Sequence, residues 1–373
     1  ELPPFQGGIV GVLGYEACRW LEPTELATCH RHQHNDLPTP AVSFGVYDWT
    51  IAVDHVSNQS WLICQGFSAD DLGIAPTKLP DPASASRRFQ NANSRADQIG
   101  ELISRHASKH PSRRFDSPEA FVQVCGNSEL DDVSVVETEE GIAGEDPGSR
   151  DTEKESIDID SRKCVSSNFT SEQFQSAVGE VVRRIRNGDF FQVNLAQRLI
   201  TESTLDPALL YLRLRKTNPA PFAGFYDGGT FQVICSSPEG FLKVRERRVE
   251  TRPIKGTAPR TGDSEVDAAI ASDLLASEKD RAENIMIVDL MRNDLSRVCR
   301  DESVVVSRMC EIERYQFVQH LVSVVEGELN EDADAVDLLK ACFPGGSVTG
   351  APKIEAMKTI ARLEPHPRGP YCG

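Results

Sequence analysis

The sequence predicts an α+β protein built on antiparallel sheets. Strand-like runs follow one another across short hairpin turns, and helical periodicity is confined to separate blocks between them. Length is the third observation: 373 residues exceed what one small core needs, so one large domain or two are expected.

Taken in order, residues 1–67 alternate apolar runs with turns, and 7–16, 41–54 and 61–66 read as strands. Between the first two, Cys29-His30-Arg31-His32-Gln33-His34 would place alternate histidines on one face of a strand. No second ligand cluster follows it, so the segment reads as a polar loop. Residues 68–112 hold one helix-like patch, around residues 95–106. From Pro111 to Lys163 the composition drifts to Ser, Asp, Glu and Gly, which bury too little surface to offset chain entropy. The expected organisation is therefore a sheet-bearing part over 1–110, a disordered or loosely ordered acidic insertion over 111–165, and a larger domain over 166–373.

Regular structure resumes at Asn168. Thr170-Ser171-Glu172-Gln173 fits a capping box opening a helix to Asn187, with Phe174, Val178, Val181, Val182 and Ile185 on one face. Residues 190–200 alternate as a strand, 206–216 form a second helix, and two strands meet across Asp227-Gly228-Gly229. A further hairpin leads into 249–260. Residues 264–294 read as helical in two pieces, 315–329 as a strand, and 333–342 and 351–363 as helices.

Charge and cysteine usage narrow the function classes. The net charge of −17 argues against a nucleic-acid backbone as partner. Residues 129–160 alone hold thirteen Asp/Glu against two Arg/Lys, a net of −11, which leaves about −6 for the rest of the chain. The acidity thus belongs to one segment rather than to the fold. Ten cysteines are scattered without a Cys-x-x-Cys pair, which reads as free thiols in a reducing cytoplasm. No apolar run is long enough to span a membrane.

The chemistry centres on Pro253-Ile254-Lys255-Gly256-Thr257. Glycine lets the backbone approach a ligand closely, and its amide with the Thr257 hydroxyl can donate to a carboxylate. Lys255 is there either a charge anchor or, once desolvated, an amine nucleophile. Asp280 and Glu283 share a face of the predicted helix, as a magnesium site of hard oxygens or as a solvated charged pair. Glu239 suits a buried general acid or a strand-end salt bridge. His320 sits in an apolar strand, where a satisfied core histidine is the ordinary outcome.

Four blocks stand in order: 188–198, 249–260, 277–294 and Phe343-Pro344-Gly345-Gly346-Ser347-Val348-Thr349-Gly350-Ala351-Pro352-Lys353. Together they resemble the chorismate-utilising enzymes, densely over 169–373 and loosely over 1–67. Within that family the chain is most similar to component I of aminodeoxychorismate synthase, with component I of anthranilate synthase as the nearest relative. The resemblance implies an anthranilate-synthase-like fold: two large subdomains, with antiparallel sheets packed together and helices outside. It also implies last strands carrying a substrate arginine and a second magnesium glutamate, so a fragment truncated at both ends is expected.

The same resemblance implies roles for individual residues. Glu283 matches a Mg2+ ligand and Asp280 its acidic neighbour. Glu239 matches the acid for the leaving hydroxyl, and His320 a histidine near the ring carboxylate and the leaving group. Gly256, Thr257, Ser347 and Tyr371 match positions that hold chorismate's carboxylates and enolpyruvyl group. Lys255 discriminates, because enzymes resembling anthranilate synthase carry alanine there. Its implied role is attack of a neutral amine at C2 of chorismate with loss of the C4 hydroxyl, then entry of ammonia at C4. Gln192 disfavours a hydroxylating reading, since isochorismate synthases carry lysine there. Asn218-Pro219-Ala220-Pro221-Phe222 departs from the Pro-Tyr-Met of tryptophan-inhibited relatives. No glutaminase block is present, so a separate glutamine amidotransferase subunit would supply ammonia. The alternatives are anthranilate synthase component I and a chorismate-binding homologue without catalysis.

Overall fold

The computed structural model describes residues 2–26, 34–37, 39–67, 82–109, 120–125, 134–137 and 165–373. The chain divides into two compact units, Glu1–Gly11 with Phe44–Ile157, and Val12–Ser43 with Asp158–Gly373. No helix among the described residues is long and apolar enough to cross a membrane.

The chain opens with β1 (Gly8–Leu13), the single-turn helices α1 (Cys18–Leu21) and α2 (Pro23–Leu26), and β2 (Val42–Tyr47). In the first unit follow β3 (Trp49–Asp54), β4 (Gln59–Cys64), α3 (Pro82–Lys109), β5 (Ala120–Cys125) and β6 (Ser134–Glu137), with sheet order β3-β4-β5-β6. The β3–β4 hairpin turns at Asp54, whose carboxylate accepts from the Val56 amide at 2.8 Å and the Ser57 hydroxyl at 2.5 Å. Pairing of β4 with β5 is parallel, a local departure from the antiparallel expectation. A parallel pair needs a long crossover, and α3 is that crossover. Its Ala92, Ala96 and Ile99 pack with Leu62 and Cys64 of β4. This helix far exceeds the patch at 95–106, because half of its buried stripe is alanine and escapes a search for large apolar residues.

β5 and β6 lie inside 111–165, where composition predicted no regular structure. Short apolar runs such as Phe121-Val122 and Val135-Val136 are enough once a neighbouring strand takes up their backbone hydrogen bonds. The remainder of 111–164, and the histidine-bearing segment 29–33, lie outside the described residues.

The second unit contains β7 (Ser166–Ser167), α4 (Ser171–Arg186), β8 (Gln192–Val193), β9 (Leu199–Ile200), α5 (Pro207–Thr217), β10 (Phe222–Asp227) and β11 (Gln232–Ser237). It continues with β12 (Lys243–Arg245), β13 (Arg248–Thr251), β14 (Ile254–Pro259), α6 (Ser264–Ala276), α7 (Glu278–Ser296), β15 (Val305–Arg314) and β16 (Val318–Glu328). α8 (Ala335–Cys342), β17 (Gly350–Ala351) and α9 (Lys353–Leu363) complete it.

The capping box of α4 forms as expected: Thr170 Oγ1 accepts from the Gln173 amide at 3.2 Å and Gln173 Oε1 from the Thr170 amide at 2.9 Å. The strand expected over 190–200 is reduced to β8 and β9. Its backbone instead donates to the loop carbonyl of Thr349 and to the side chains of Glu364 and Asn168. Alternation alone does not distinguish these partners from a neighbouring strand.

β16 organises the main sheet. One of its edges carries β13 and then β14, and its other edge carries β15, all antiparallel. Pro253 separates β13 from β14, as a residue with no amide to donate must. β15 has no counterpart in the sequence reading. Its half-buried positions do alternate, at Val306, Arg308, Cys310 and Ile312, but an arginine stands among them and the pairing shifts register around Arg308 and Glu311, so no apolar stripe shows. Against the sheet lies α7, whose Ile287, Val288, Met291 and Leu295 join Val249, Val325, Leu329 and Leu338 in one core. Each such fully buried aliphatic side chain contributes about 1.5–3 kcal/mol.

Candidate active site

β14 and its neighbours assemble most of the predicted site residues. Gly256 has φ +77° and forms a bulge between Lys255 and Thr257. A Cβ there would stand 2.9 Å from Leu274 Cδ1 and 3.1 Å from Asp280 Cβ, so glycine is what lets β14 lie against the start of α7. The bulge sets Lys255 opposite Leu321 and Thr257 opposite His320. The two side chains therefore join different clusters.

In the first cluster, Lys255 Nζ donates to the Ser347 carbonyl at 3.3 Å, and the Ser347 hydroxyl donates to Glu239 Oε1 at 2.9 Å. The same carboxylate oxygen accepts from the Ile254 amide at 3.4 Å. Burial pushes the Glu239 carboxyl above the usual range, while Ser347, Ile254 and the Lys255 charge pull it back. In the second cluster, Thr257 Oγ1 lies 2.9 Å from His320 Nδ1. Burial depresses the His320 imidazole, and the Glu313 charge partly opposes it. His320 is thus both a buried residue, as the plain reading held, and hydrogen-bonded to a second predicted site residue.

Asp280 and Glu283 stand on the first turns of α7. The Ser277 hydroxyl caps the helix, accepting from the Asp280 amide and donating to Asp280 Oδ2 at 2.5 Å. Glu283 is 3.9 Å from Lys279. Among the described residues no three His, Cys, Asp or Glu stand together as a metal cage. Two carboxylates are nonetheless the donor set Mg2+ takes when substrate and water oxygens supply the rest, so these residues fit that ion. Tyr371 is exposed and is not joined to Lys255 or His320. Its ring lies 5.7 Å from the Arg368 guanidinium.

Two groups escaped the sequence reading. Arg368 forms a buried pair with Glu364 and donates to the Val348 carbonyl at 2.9 Å, bracing the loop that bears Ser347. Glu313, on the unforeseen β15, accepts from Tyr315 and Arg252 beside His320. Their only local signals are an i,i+4 charge pair and a glutamate within the charged run Glu311–Arg314, both ordinarily solvated.

This arrangement offers a chain amine and a carboxyl of raised pKa anchored on one serine, beside a helix start bearing two carboxylates. The chain belongs to the chorismate binding enzymes, whose family description matches residues 1–373. It is 34% identical to aminodeoxychorismate synthase component 1 of Bacillus subtilis over 373 residues, covering 100% of this chain and 66% of that protein. It is 37% identical to anthranilate synthase component 1 of a Synechocystis species over 383 residues, covering 100% of this chain and 65% of that one. Among solved structures it is similar to anthranilate synthase component I of Streptococcus pneumoniae, with TM-score 0.72, 30% identity, and coverage of 100% and 69%. The chain spans about two thirds of the length of these relatives. Identity alone therefore does not separate the two reactions.

Proposed function

We propose that this chain is the chorismate-converting component of an aminodeoxychorismate synthase, serving p-aminobenzoate and folate synthesis. The observation that carries this reading is the placement of Lys255 and Glu239 on Ser347, amine and acid within reach of one ligand. The neutral Lys255 amine attacks C2 of chorismate, the ring double bonds shift, and Glu239 protonates the departing C4 hydroxyl, which leaves as water. Ammonia then adds at C4, the double bonds shift back, and the Lys255 nitrogen leaves C2. Chorismate and ammonia thereby become 4-amino-4-deoxychorismate and water. Thr257, Gly256, Ser347, His320 and Tyr371 are the candidates for holding the substrate's carboxylates and enolpyruvyl group. Asp280 and Glu283 are the candidates for holding Mg2+, which when bound neutralises a substrate carboxylate. Ammonia comes from a separate glutamine amidotransferase subunit, and the seven free thiols among the described residues suit a reducing cytoplasm.

Product identity tests the reading. Purified protein given chorismate, Mg2+ and ammonium is expected to form aminodeoxychorismate, seen by chromatography as p-aminobenzoate once the matching lyase is added. The rival reading, anthranilate synthase component I, draws on the 37% identity with the Synechocystis protein. Anthranilate released directly, without lyase, would establish it instead, and bound chorismate without turnover would mark a non-catalytic homologue.

The raised Glu239 carboxyl sets a pH dependence. A general acid works only while protonated and the Lys255 amine attacks only while neutral, so the two titrations oppose each other. The Glu239 contribution is therefore read as the ratio of adduct formation in the parent to that in Glu239→Gln, which is expected to shrink as pH rises through the Glu239 pKa. Measured without ammonia, that ratio is free of ammonium titration. Below that pKa Glu239→Gln should be slower than the parent by about 10²–10⁴-fold. An unchanged profile in that variant would assign the proton to another group.

A further inference from the structure

His320 is flanked on both edges of its strand. Thr257 of β14 and Glu313 of β15 lie directly opposite it in the two registers, so the three side chains form one row across the sheet. Thr257 meets Nδ1 at 2.9 Å. On the other flank, both Glu313 oxygens are engaged. Oε1 accepts from Arg252 and, at 3.4 Å, from Arg308, while Oε2 accepts from the Tyr315 hydroxyl at 3.0 Å. The Tyr315 ring stands 5.4 Å from the imidazole at an interplanar angle of 59°. Its backbone is tied down as well: its carbonyl accepts from Arg260 at 2.6 Å and its amide donates to Val318 at 2.8 Å.

An imidazole turned by a half-rotation has nearly the same shape but exchanges a nitrogen for a carbon at each edge. One hydrogen bond to a threonine hydroxyl, which can donate or accept, fixes neither the ring orientation nor the tautomer firmly. A tilted aromatic neighbour is what adds selectivity, because its quadrupole distinguishes a C–H or N–H edge of the imidazole from a nitrogen lone pair. We propose that Glu313 is a positioning residue for His320: by holding the Tyr315 hydroxyl it keeps the Tyr315 ring against the imidazole, and so keeps Nδ1 on Thr257. Glu313 itself touches no reacting atom. Arg252 and Arg308 balance most of its charge, and burial of His320 outweighs what remains, so Glu313 orients Tyr315 while the imidazole stays depressed. The catalytic consequence rests on the proposed function, in which His320 takes part. The orientation of the ring does not.

The test joins nitrogen NMR of histidine-labelled protein with kinetics on chorismate, comparing the parent with Tyr315→Phe and Glu313→Ala. His320 is assigned by its loss in His320→Gln. The parent is expected to show one His320 tautomer. Both variants should show two exchanging forms and a kcat lower by about tenfold to a hundredfold, with KM for chorismate nearly unchanged. Tyr315→Phe keeps the ring and all the Glu313 ion pairs, so it remains informative where Glu313→Ala fails to fold. A single, unshifted His320 signal in folded Tyr315→Phe would overturn the positioning role. A parent protein that leaves chorismate unconverted would sink the proposed function, while the tautomer measurement would still decide the role of Glu313.

Discussion

Lys255→Ala is expected to abolish aminodeoxychorismate formation, a loss on the order of 10³-fold or more, because no other group on the chain would form the bond to C2. Alanine alone leaves an ambiguity, since it removes the positive charge along with the nucleophile. Lys255→Arg resolves it. A guanidinium can still donate to the Ser347 carbonyl and still balance Glu239, but it stays protonated at any working pH and has no lone pair to offer. A charge anchor would tolerate arginine, whereas a nucleophile would not. Intact-protein mass spectrometry supplies the second readout. With chorismate and Mg2+ but no ammonia, the parent should gain the mass of chorismate less water, and neither variant should gain it. Turnover retained in Lys255→Arg would sink the covalent route and leave Lys255 as an anchor.

What the sequence made legible was local. The Thr170 capping box, the hairpin before Arg248 and the block around Lys255 all depend on residues a few positions apart, where propensity and turn chemistry act. The missed features are products of register. β15 hides because an arginine stands on its inner face, and α3 because alanine forms much of its buried stripe. Glu313 and Arg368 look like solvated charges until β16 and the Ser347 loop are placed beside them. The candidate site shows the same division. Residue types at Lys255, Glu239 and His320 were readable, but their sorting into an amine–serine–carboxyl group and a threonine–histidine pair follows from one bulge at Gly256. No spacing rule encodes that, because it depends on which strand pairs with which.

The buried pair of Lys353 and Asp294 is where a single substitution should cost the most stability. Lys353 Nζ donates to Asp294 Oδ2 at 2.5 Å and to the Cys342 carbonyl at 2.7 Å, with only 11% and 5% of the two side chains exposed. Asp294 lies in the last turn of α7 and Lys353 in the first turn of α9, each at the helix end its charge disfavours. Each therefore depends on the other, and the ammonium also serves the carbonyl end of α8. Lys353→Met is expected to cost about 3–5 kcal/mol, read from the denaturant midpoint, because it strands a buried carboxylate. Burial already pushes the Asp294 carboxyl up, with Lys353 the main opposing influence, so removing the lysine raises it further. The sign follows from linkage. When the folded state holds the proton more tightly than the unfolded one, stability is fully present below the unfolded pKa and is lost as pH rises through the folded pKa. The deficit of Lys353→Met against the parent should therefore be small near pH 4 and grow toward neutrality. Adding Asp294→Asn should recover most of it, since no charge is then left unpaired. A single variant whose deficit does not change with pH, or a double variant as unstable as the single, would mean the cost lies in packing around α7, α8 and α9 rather than in the stranded charge.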